Sequence, residues 1–313
     1  MKKKWKQLPN WAKIFSILFL FLFITEMILR FAIGLGDLAI YREDEQYEYF
    51  YESNQDVWRY GNHIVTNEFG MRSHRINKKK KFIILEFGDS VLNGGAHVDQ
   101  DNLATTIEEN QLNEKFNNQV QILNISAQSW GLSNAFAYLQ KHGDFDAAII
   151  VLVFSSHDLK DNMHFRKVVG VHSAWPNQKP LLALTDLWTR FIWPKTKALF
   201  GGSAEYDYLK DFNDSKINPG WENFFTYASK KKIPLLVYLH ASKKEIHKGD
   251  FNADGKKIIR MCEEENVKLI SDLDALNEVE DAFIDDIHMS EKGHSVMAEL
   301  LLPVLEKSLN KIQ

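Results

Sequence analysis

Five apolar runs of strand length recur between residues 81 and 273: "KFIILEF" (81–87), "VQILNI" (120–125), "AAIIVLVF" (147–154), "IPLLVYL" (233–239) and "VKLISDL" (267–273). They are continuous rather than alternating, the pattern of strands buried on both faces of a parallel sheet. Stretches of helical character separate them: "NLATTIEENQLNEKF", "NAFAYLQKHG", "WENFFTYASKKK" and "GKKIIRMCEEEN". A last amphipathic stretch, "SEKGHSVMAELLLPVLEKSLNK", closes the series. The alternation predicts an α/β fold over residues 81–313, a three-layer α/β/α sandwich around a five-stranded parallel, flavodoxin-like sheet. Its site is expected at the carboxyl ends of the strands.

Three segments stand outside this pattern. At the N-terminus, Lys2, Lys3, Lys4, Lys6 and Lys13 precede an apolar run from Ile14 to Ile24, and a mostly apolar continuation reaches Leu35. The span is about the 20 residues that a bilayer requires. Glu26 and Arg30 interrupt it four residues apart, a spacing that lets them pair on a helix or snorkel to the far interface. The acidic "YREDEQYEYFYE" follows, so the positive-inside rule places the N-terminus in the cytoplasm and the rest outside, on the periplasmic or extracellular face. Residues 1–36 are therefore expected to be a cytoplasmic tip and an uncleaved single-pass anchor in the cytoplasmic or inner membrane. A cleaved signal peptide is the rival reading, disfavoured because no clear small-x-small site follows a short apolar core, and kept open by Gly34-Leu35-Gly36.

Residues 37–80, rich in Tyr, Asn and charge and without a clean period, read as a membrane-proximal stalk packed onto the domain. Residues 165–218 form an insertion carrying Trp175, Trp188, Trp193 and three prolines. It is either a helical excursion with its own aromatic core or a lid beside the site.

Composition narrows the function classes. With 45% hydrophobic and 26% charged residues the chain is globular, and a net charge of -4 gives no basis for a nucleic-acid partner. The one cysteine, Cys262, excludes an intrachain disulfide and reads as helix packing.

Candidate chemistry is concentrated in two places. "FGDSVLNGG" sets Ser90 at the end of the first strand, where a serine is either a nucleophile or a helix N-cap. "IDDIHMSEKGH", after the fifth strand, offers Asp285, Asp286 and His288. A serine hydroxyl is a weak nucleophile until an imidazole takes its proton, and one short loop here delivers both the base and a carboxylate to orient it. "HDLKDNMH" also sets His157, Asp161 and His164 at i, i+4 and i+7, a spacing that metal ligands can use on a helix.

Over residues 65–305 the sequence resembles the GDSL or SGNH hydrolases. Gly88-Asp89-Ser90 follows the first strand, "NISAQSWGLSN" occupies the place of the second-strand glycine block, "FSSHDLKDN" that of Gly-x-Asn-Asp, and Asp285 and His288 match the final Asp-x-x-His. Upstream, "TNEFGMRSHR" looks like the Asn-x-x-Gly-x-Arg lead-in of membrane-anchored members associated with surface polysaccharide. The resemblance implies a serine hydrolase with Ser90 as nucleophile, His288 as base and Asp285 as orienter, with Asp286 as the alternative orienter. It implies an oxyanion hole from the amides of Ser90 and Ser129 and the side chain of His157. Ser129 stands where the family has glycine, with Gly131 two residues later as the other candidate, and His157 stands where the family has asparagine. The family shows the "LKDN" pattern without metal, so neither metal nor other cofactor is expected.

The implied activity is removal of ester-linked acyl groups, O-acetyl above all, from an envelope or exported glycan or a small ester. Transfer of the acyl group to a sugar hydroxyl through the same acyl-enzyme is one alternative. A non-catalytic glycan-binding or scaffold protein with an altered oxyanion hole is the other. Partners implied are the acylated glycan, the membrane and other surface-polysaccharide proteins.

Overall fold

The computed structural model describes residues 9–199 and 215–312. Lys2, Lys3, Lys4 and Lys6, and residues 200–214 of the expected insertion, lie outside the described residues. The first helix, α1 (Asn10–Ile28), continues through a π-helical turn over Leu29–Ile33. This 24-residue stretch has, in its most apolar 18-residue window, a mean hydropathy of 2.2, and that window is mostly uncovered by the rest of the protein. Its length and composition suit a bilayer span, and a signal sequence meets the same requirements. Glu26 and Arg30 do pair, Arg30 Nη2 donating to Glu26 Oε1 at 2.8 Å.

Residues 37–80, without a period in sequence, form two antiparallel hairpins, β1 (Tyr41–Asp44) with β2 (Glu48–Tyr51) and β3 (Asp56–Arg59) with β4 (Asn62–Val65). Tyr47, Tyr49, Phe50 and Tyr51 lie in the main hydrophobic core. Phe50 stacks on Trp130 with ring centroids 4.6 Å apart, and Tyr47 packs on Tyr138 at 5.2 Å.

The five apolar runs become β5 (Phe82–Gly88), β6 (Val120–Ser126), β7 (Ile149–Ser155), β8 (Leu235–His240) and β9 (Lys268–Ser271). All pairings are parallel and the order is β6-β5-β7-β8-β9, the flavodoxin-like arrangement. The connecting helices are α2 (Ser90–Asn93), α3 (Ala104–Lys115), α4 (Leu132–His142), α5 (Ala183–Leu187), α6 (Trp193–Leu199), α7 (Gly220–Lys231), α8 (Lys243–Lys248), α9 (Ala253–Glu264) and α10 (Glu291–Ile312).

Successive residues of a strand point to opposite faces, and β5 shows what each face meets. Phe87 packs on Phe224 of α7, with centroids 5.1 Å apart, on the face where α7 lies beside α4. Glu86 turns to the other face, toward Glu108 of α3, which packs along α10. With helices on both faces, every residue of β5, β6 and β7 is buried, which is why these strands carry no alternation. Strand order reverses between β5 and β7, so the crevice at their carboxyl ends is the place this topology offers for a site.

Glu86 and Glu108 are fully buried, and their carboxyl oxygens have no partner but each other. Burial raises the pKa of both, and the charge of Glu86 raises that of Glu108 further. The folded state thus holds protons that the unfolded chain releases in the ordinary glutamate range, and stability falls as pH rises from that range through neutrality. In detergent-solubilised full-length protein, wild type should lose on the order of 2 kcal/mol more stability between pH 5 and pH 8 than Glu86→Gln/Glu108→Gln, the cost of a buried charge without a partner. Thermal melts at the two pH values check this, and parallel losses in both proteins would contradict it.

Candidate active site

Ser90 begins α2 directly after β5. Gly88 ends that strand where a side chain would have no room: a Cβ there would lie 2.6 Å from Cβ of Leu92 and 2.9 Å from the carbonyl oxygen of Val153 in β7. Asp89 caps the short helix, its Oδ1 accepting from the Val91 N–H at 2.8 Å. The N-cap role that could have fallen to Ser90 is thus taken by Asp89, and the Ser90 hydroxyl points elsewhere. It lies 2.9 Å from Nε2 of His288, whose Nδ1 is 2.7 Å from Oδ2 of Asp285.

The loop between β9 and α10 brings the last two of these side chains in. Phe283 bridges to Met289, and the Ile284 N–H donates to the His288 carbonyl at 2.9 Å, which closes the loop on itself. Asp285 Oδ1 accepts from the N–H groups of Ile287 and His288 at 2.9 and 2.8 Å. Partial burial pushes the Asp285 carboxyl up, but these two N–H groups and the His288 imidazole outweigh it and bring its pKa down to about 2. The carboxylate is therefore ionised at any pH at which the protein would work. Asp286 meets its neighbours differently, through its carbonyl, which accepts from the Lys243 N–H at 2.9 Å.

The turn after β6 carries both glycine-block candidates. Ser129 is exposed and has φ +56°, the left-handed region that glycine enters most easily. Tyr49 Oη donates to the carbonyls of Gln128 and Ser129 at 2.9 and 3.2 Å and holds this turn. The Gly131 N–H already donates to Asn134 Oδ1 at 3.0 Å. A Cβ at Gly131 would stand 2.2 Å from the Asp161 carbonyl oxygen, so that glycine serves close packing.

His157 lies in a short 3₁₀ turn, Ser156–Leu159, after β7. That turn ends before Asp161 and His164, so the three do not share a helical face. His157 Nε2 stands instead 3.5 Å from Asp158 Oδ1 and 3.8 Å from Asp89 Oδ2. Asp158 is fully buried; burial raises its carboxyl pKa well above the usual range, and the charges of Asp89 and Asp161 raise it further. Asp89, His157 and Asp158 together offer three atoms of metal-ligand type within 4.8 Å of one another.

Two supporting groups have roles that the motifs alone do not assign. Arg72 is fully buried, and its guanidinium donates to the carbonyls of Asn93, Gly95 (2.6 Å) and Val98 (2.6 Å), the loop that follows the Ser90 helix. Burial pulls its pKa down to about 10, which leaves it charged at neutral pH. The Asn-x-x-Gly-x-Arg segment is thus a turn that aims one guanidinium at the backbone behind Ser90. His240, at the end of β8, lies 2.6 Å from Asp272 Oδ2 through Nδ1 and 2.7 Å from the Ile287 carbonyl through Nε2. Both ring nitrogens face acceptor groups, a setting that favours the doubly protonated ring. Burial lowers its pKa, but Asp272 and the Ile287 carbonyl reverse the sign and raise it overall. This buried pair grips the residue next to His288. The signal for it in sequence was a histidine and an aspartate each at the end of an apolar strand, where polar residues are out of place.

No protein-family model matches the chain, and no curated protein matches it. Several solved structures do. One is a two-domain esterase active on acetylated mannans, crystallised with mannopentaose, with 13% identity, a TM-score of 0.45 and coverage of 74% of this chain; the chain spans half the length of that enzyme (50%). An acetyl xylan esterase matches with 15% identity and a TM-score of 0.43 over 72% of this chain and 100% of its own. A member of the lipolytic protein G-D-S-L family from Veillonella parvula matches with 13% identity and a TM-score of 0.39, over 72% and 98%.

The two glycine-block positions should respond to substitution in opposite directions. Ser129→Gly removes a left-handed strain and is expected to leave stability unchanged or raise it by up to about 1 kcal/mol. Gly131→Ala forces a methyl group against a carbonyl and should cost roughly 1–3 kcal/mol. Paired thermal melts of the two variants against wild type check both.

Proposed function

We propose that the protein is a serine esterase that cleaves a short ester-linked acyl group, O-acetyl above all, from an exported or envelope glycan. The observation that carries this reading is the relay Ser90 Oγ, His288 Nε2, His288 Nδ1 and Asp285 Oδ2, with steps of 2.9 and 2.7 Å. Ser90 Oγ attacks the acyl carbonyl while His288 Nε2 takes its proton. The tetrahedral adduct collapses, the carrier's alkoxide leaves with that proton from His288, and the acyl group stays on Ser90. A water molecule, deprotonated by the same imidazole, then releases the acid and restores the hydroxyl.

The Ser90 and Ser129 N–H groups, with the His157 side chain, are the proposed donors to the oxyanion. Gly131 is set aside because its N–H is already bonded to Asn134. Asp285 rather than Asp286 is the proposed orienter, since its carboxylate is the one on the ring.

An acyl group on a bulky carrier fits the openness of the site. The side chains of Asp285 and His157 are about half exposed, at 54% and 52%, and that of His288 is 38% exposed. A polysaccharide can lie across such a surface and present a small substituent to Ser90. The outward placement follows from the charge pattern around α1 and from the resemblance to membrane-anchored hydrolases. Transfer to a sugar hydroxyl would use the same acyl-enzyme and differ only in what resolves it.

Full-length protein treated with a fluorophosphonate should gain one adduct, on Ser90, as read by intact mass and peptide mapping. Ser90→Ala and His288→Ala should gain none. Turnover of p-nitrophenyl acetate should fall by at least ~10³-fold in Ser90→Ala and by about 10⁴-fold in Asp285→Asn. Failure of folded wild type both to take the label and to turn over the ester would sink the esterase reading in favour of a binding or scaffold role. Acetate release against acetylated-acceptor formation, with a sugar acceptor present, separates hydrolysis from transfer.

A further inference from the structure

We infer that the insertion helix over residues 183–199 is a second membrane-contacting element, seated in the lipid beside α1 rather than acting as a lid over Ser90. The inference rests on reading α1 as a membrane span and adds a partner surface that this reading does not contain. The α5 helix runs into a π-helical turn (Trp188–Ile192) and on into α6, a continuous rod of 17 residues, about 25 Å long.

The rod begins against α1. Glu26 accepts from the N–H groups of Ala183 (2.8 Å) and Leu184 (2.9 Å), and so caps the start of the insertion helix from within α1. Arg30 completes the clamp, donating to Glu26 and, at 2.8 Å, to the Leu181 carbonyl. Leu29, Leu35 and Ala183, with Leu184 and Leu187 against them, form an apolar cluster separate from the main core. Glu26 lies seven residues before the end of the 24-residue stretch, about 10 Å inside it at the rise of an α-helix. A carboxylate at that depth needs its acceptors satisfied by protein, and those satisfying it are the first N–H groups of the insertion helix. If α1 spans a bilayer, the start of the rod therefore lies at the same depth.

The surface of the rod matches that position. Trp188, Trp193 and Leu199 are exposed, as is Leu181 just ahead of the rod, Leu181 and Leu199 almost completely (90% and 85%). Tryptophan is the residue that favours the boundary between acyl chains and headgroups. Thr189 and Thr196 return their hydroxyls to the carbonyls of Thr185 and Ile192 at 2.9 and 2.8 Å, as Ser16 and Thr25 do on α1 with Ala12 and Phe21. A hydroxyl bonded to its own helix needs no water. The one acid of the rod, Asp186, is buried on Arg59 at 2.7 Å and Arg190 at 3.0 Å. Lys195 and Lys197 are exposed on the last turns of the rod, where a long cationic side chain can reach from the acyl boundary to the headgroups. A surface whose exposed side chains include several large apolar groups and no unpaired acid is one that lipid can cover.

The test uses full-length protein in phosphatidylcholine/phosphatidylglycerol vesicles, spin-labelled at one introduced cysteine at a time; native Cys262 is buried. Leu181→Cys, just ahead of the rod, and Ile192→Cys and Leu199→Cys on it probe the inferred lipid contact, Phe19→Cys probes α1, and Lys307→Cys probes the exposed face of α10. Power saturation compares access by oxygen, which concentrates in lipid, with access by a water-soluble nickel chelate. The expected result is a ratio in favour of oxygen at 181, 192 and 199, as at 19, and a reversed ratio at 307. Nickel-dominated access at 181, 192 and 199 with oxygen-dominated access at 19 overturns the inference and leaves the anchor standing. Nickel-dominated access at 19 as well overturns both. Exclusion of both reagents at 192 and 199 means that protein covers the rod, and that also overturns the inference.

Discussion

A parallel sheet has to be covered on both faces, and most of this molecule follows from that requirement. It makes β5, β6 and β7 apolar throughout, places helices on either side, and leaves one crevice, at the carboxyl ends of β5 and β7, where polar groups can gather near water. Gly88 marks how tight that constraint is, since β7 and Leu92 approach too closely for any side chain. Ser90 emerges two residues later, and the turns carrying Ser129, His157 and His288 follow β6, β7 and β9 at the same edge.

Polar residues that break the apolar pattern are each answered by a specific partner. Asn124 in β6 donates to the Leu92 carbonyl and to Thr105, tying the sheet to the Ser90 helix. His240 and Asp272 form a buried ion pair whose second ring nitrogen holds the loop of His288. Removal of one partner from such a pair leaves an uncompensated buried charge, so these contacts fix position more than they add net stability. The Ser155 hydroxyl at the end of β7 is one exception, and Glu86 and Glu108 are others, since each of these acids has only the other for company. Their shared burial has a physical consequence in pH, but no contact of theirs reaches Ser90.

The sheet was legible because continuous apolar runs bounded by turn residues are unambiguous, and every strand lies within two residues of its expected place. Ser90, Asp285 and His288 were legible as candidates because their spacing and strand context agreed, and the structure brings the three side chains together. The hairpins of residues 41–65 were not, for their strands are four residues long and are buried on no regular face. The first is ordered by long-range aromatic packing of Tyr47 and Phe50 on Tyr138 and Trp130, and the second by hydrogen bonds to distant segments, neither of which a local pattern encodes. Glu26 illustrates the same limit. Its i+4 partner Arg30 could be read from spacing, but the helix it caps lies 157 residues further along the chain.

The β3–β4 hairpin joins the apolar helix and the insertion to the loop beside Ser90. On one side, the Tyr60 N–H donates to the Ile33 carbonyl at 2.8 Å, the Trp58 N–H to Asp37 at 2.8 Å, and Arg59 to Asp186 at 2.7 Å, which fastens the hairpin to the end of the apolar helix and to the insertion. On the other, Asn62 donates to the Ala96 carbonyl at 3.0 Å, the His63 N–H donates to Asp99 at 2.7 Å, and Tyr60 stacks on His97. Residues 96–99 belong to the loop after the Ser90 helix that Arg72 also grips. Burial lowers the pKa of His97, and His288 lowers it further, so the loop that the hairpin holds comes within electrostatic reach of His288. A linkage of short strands and buried ion pairs transmits position, where a disordered linker would transmit only tether length. The Ser90 hydroxyl therefore keeps a fixed position and orientation relative to the apolar helix.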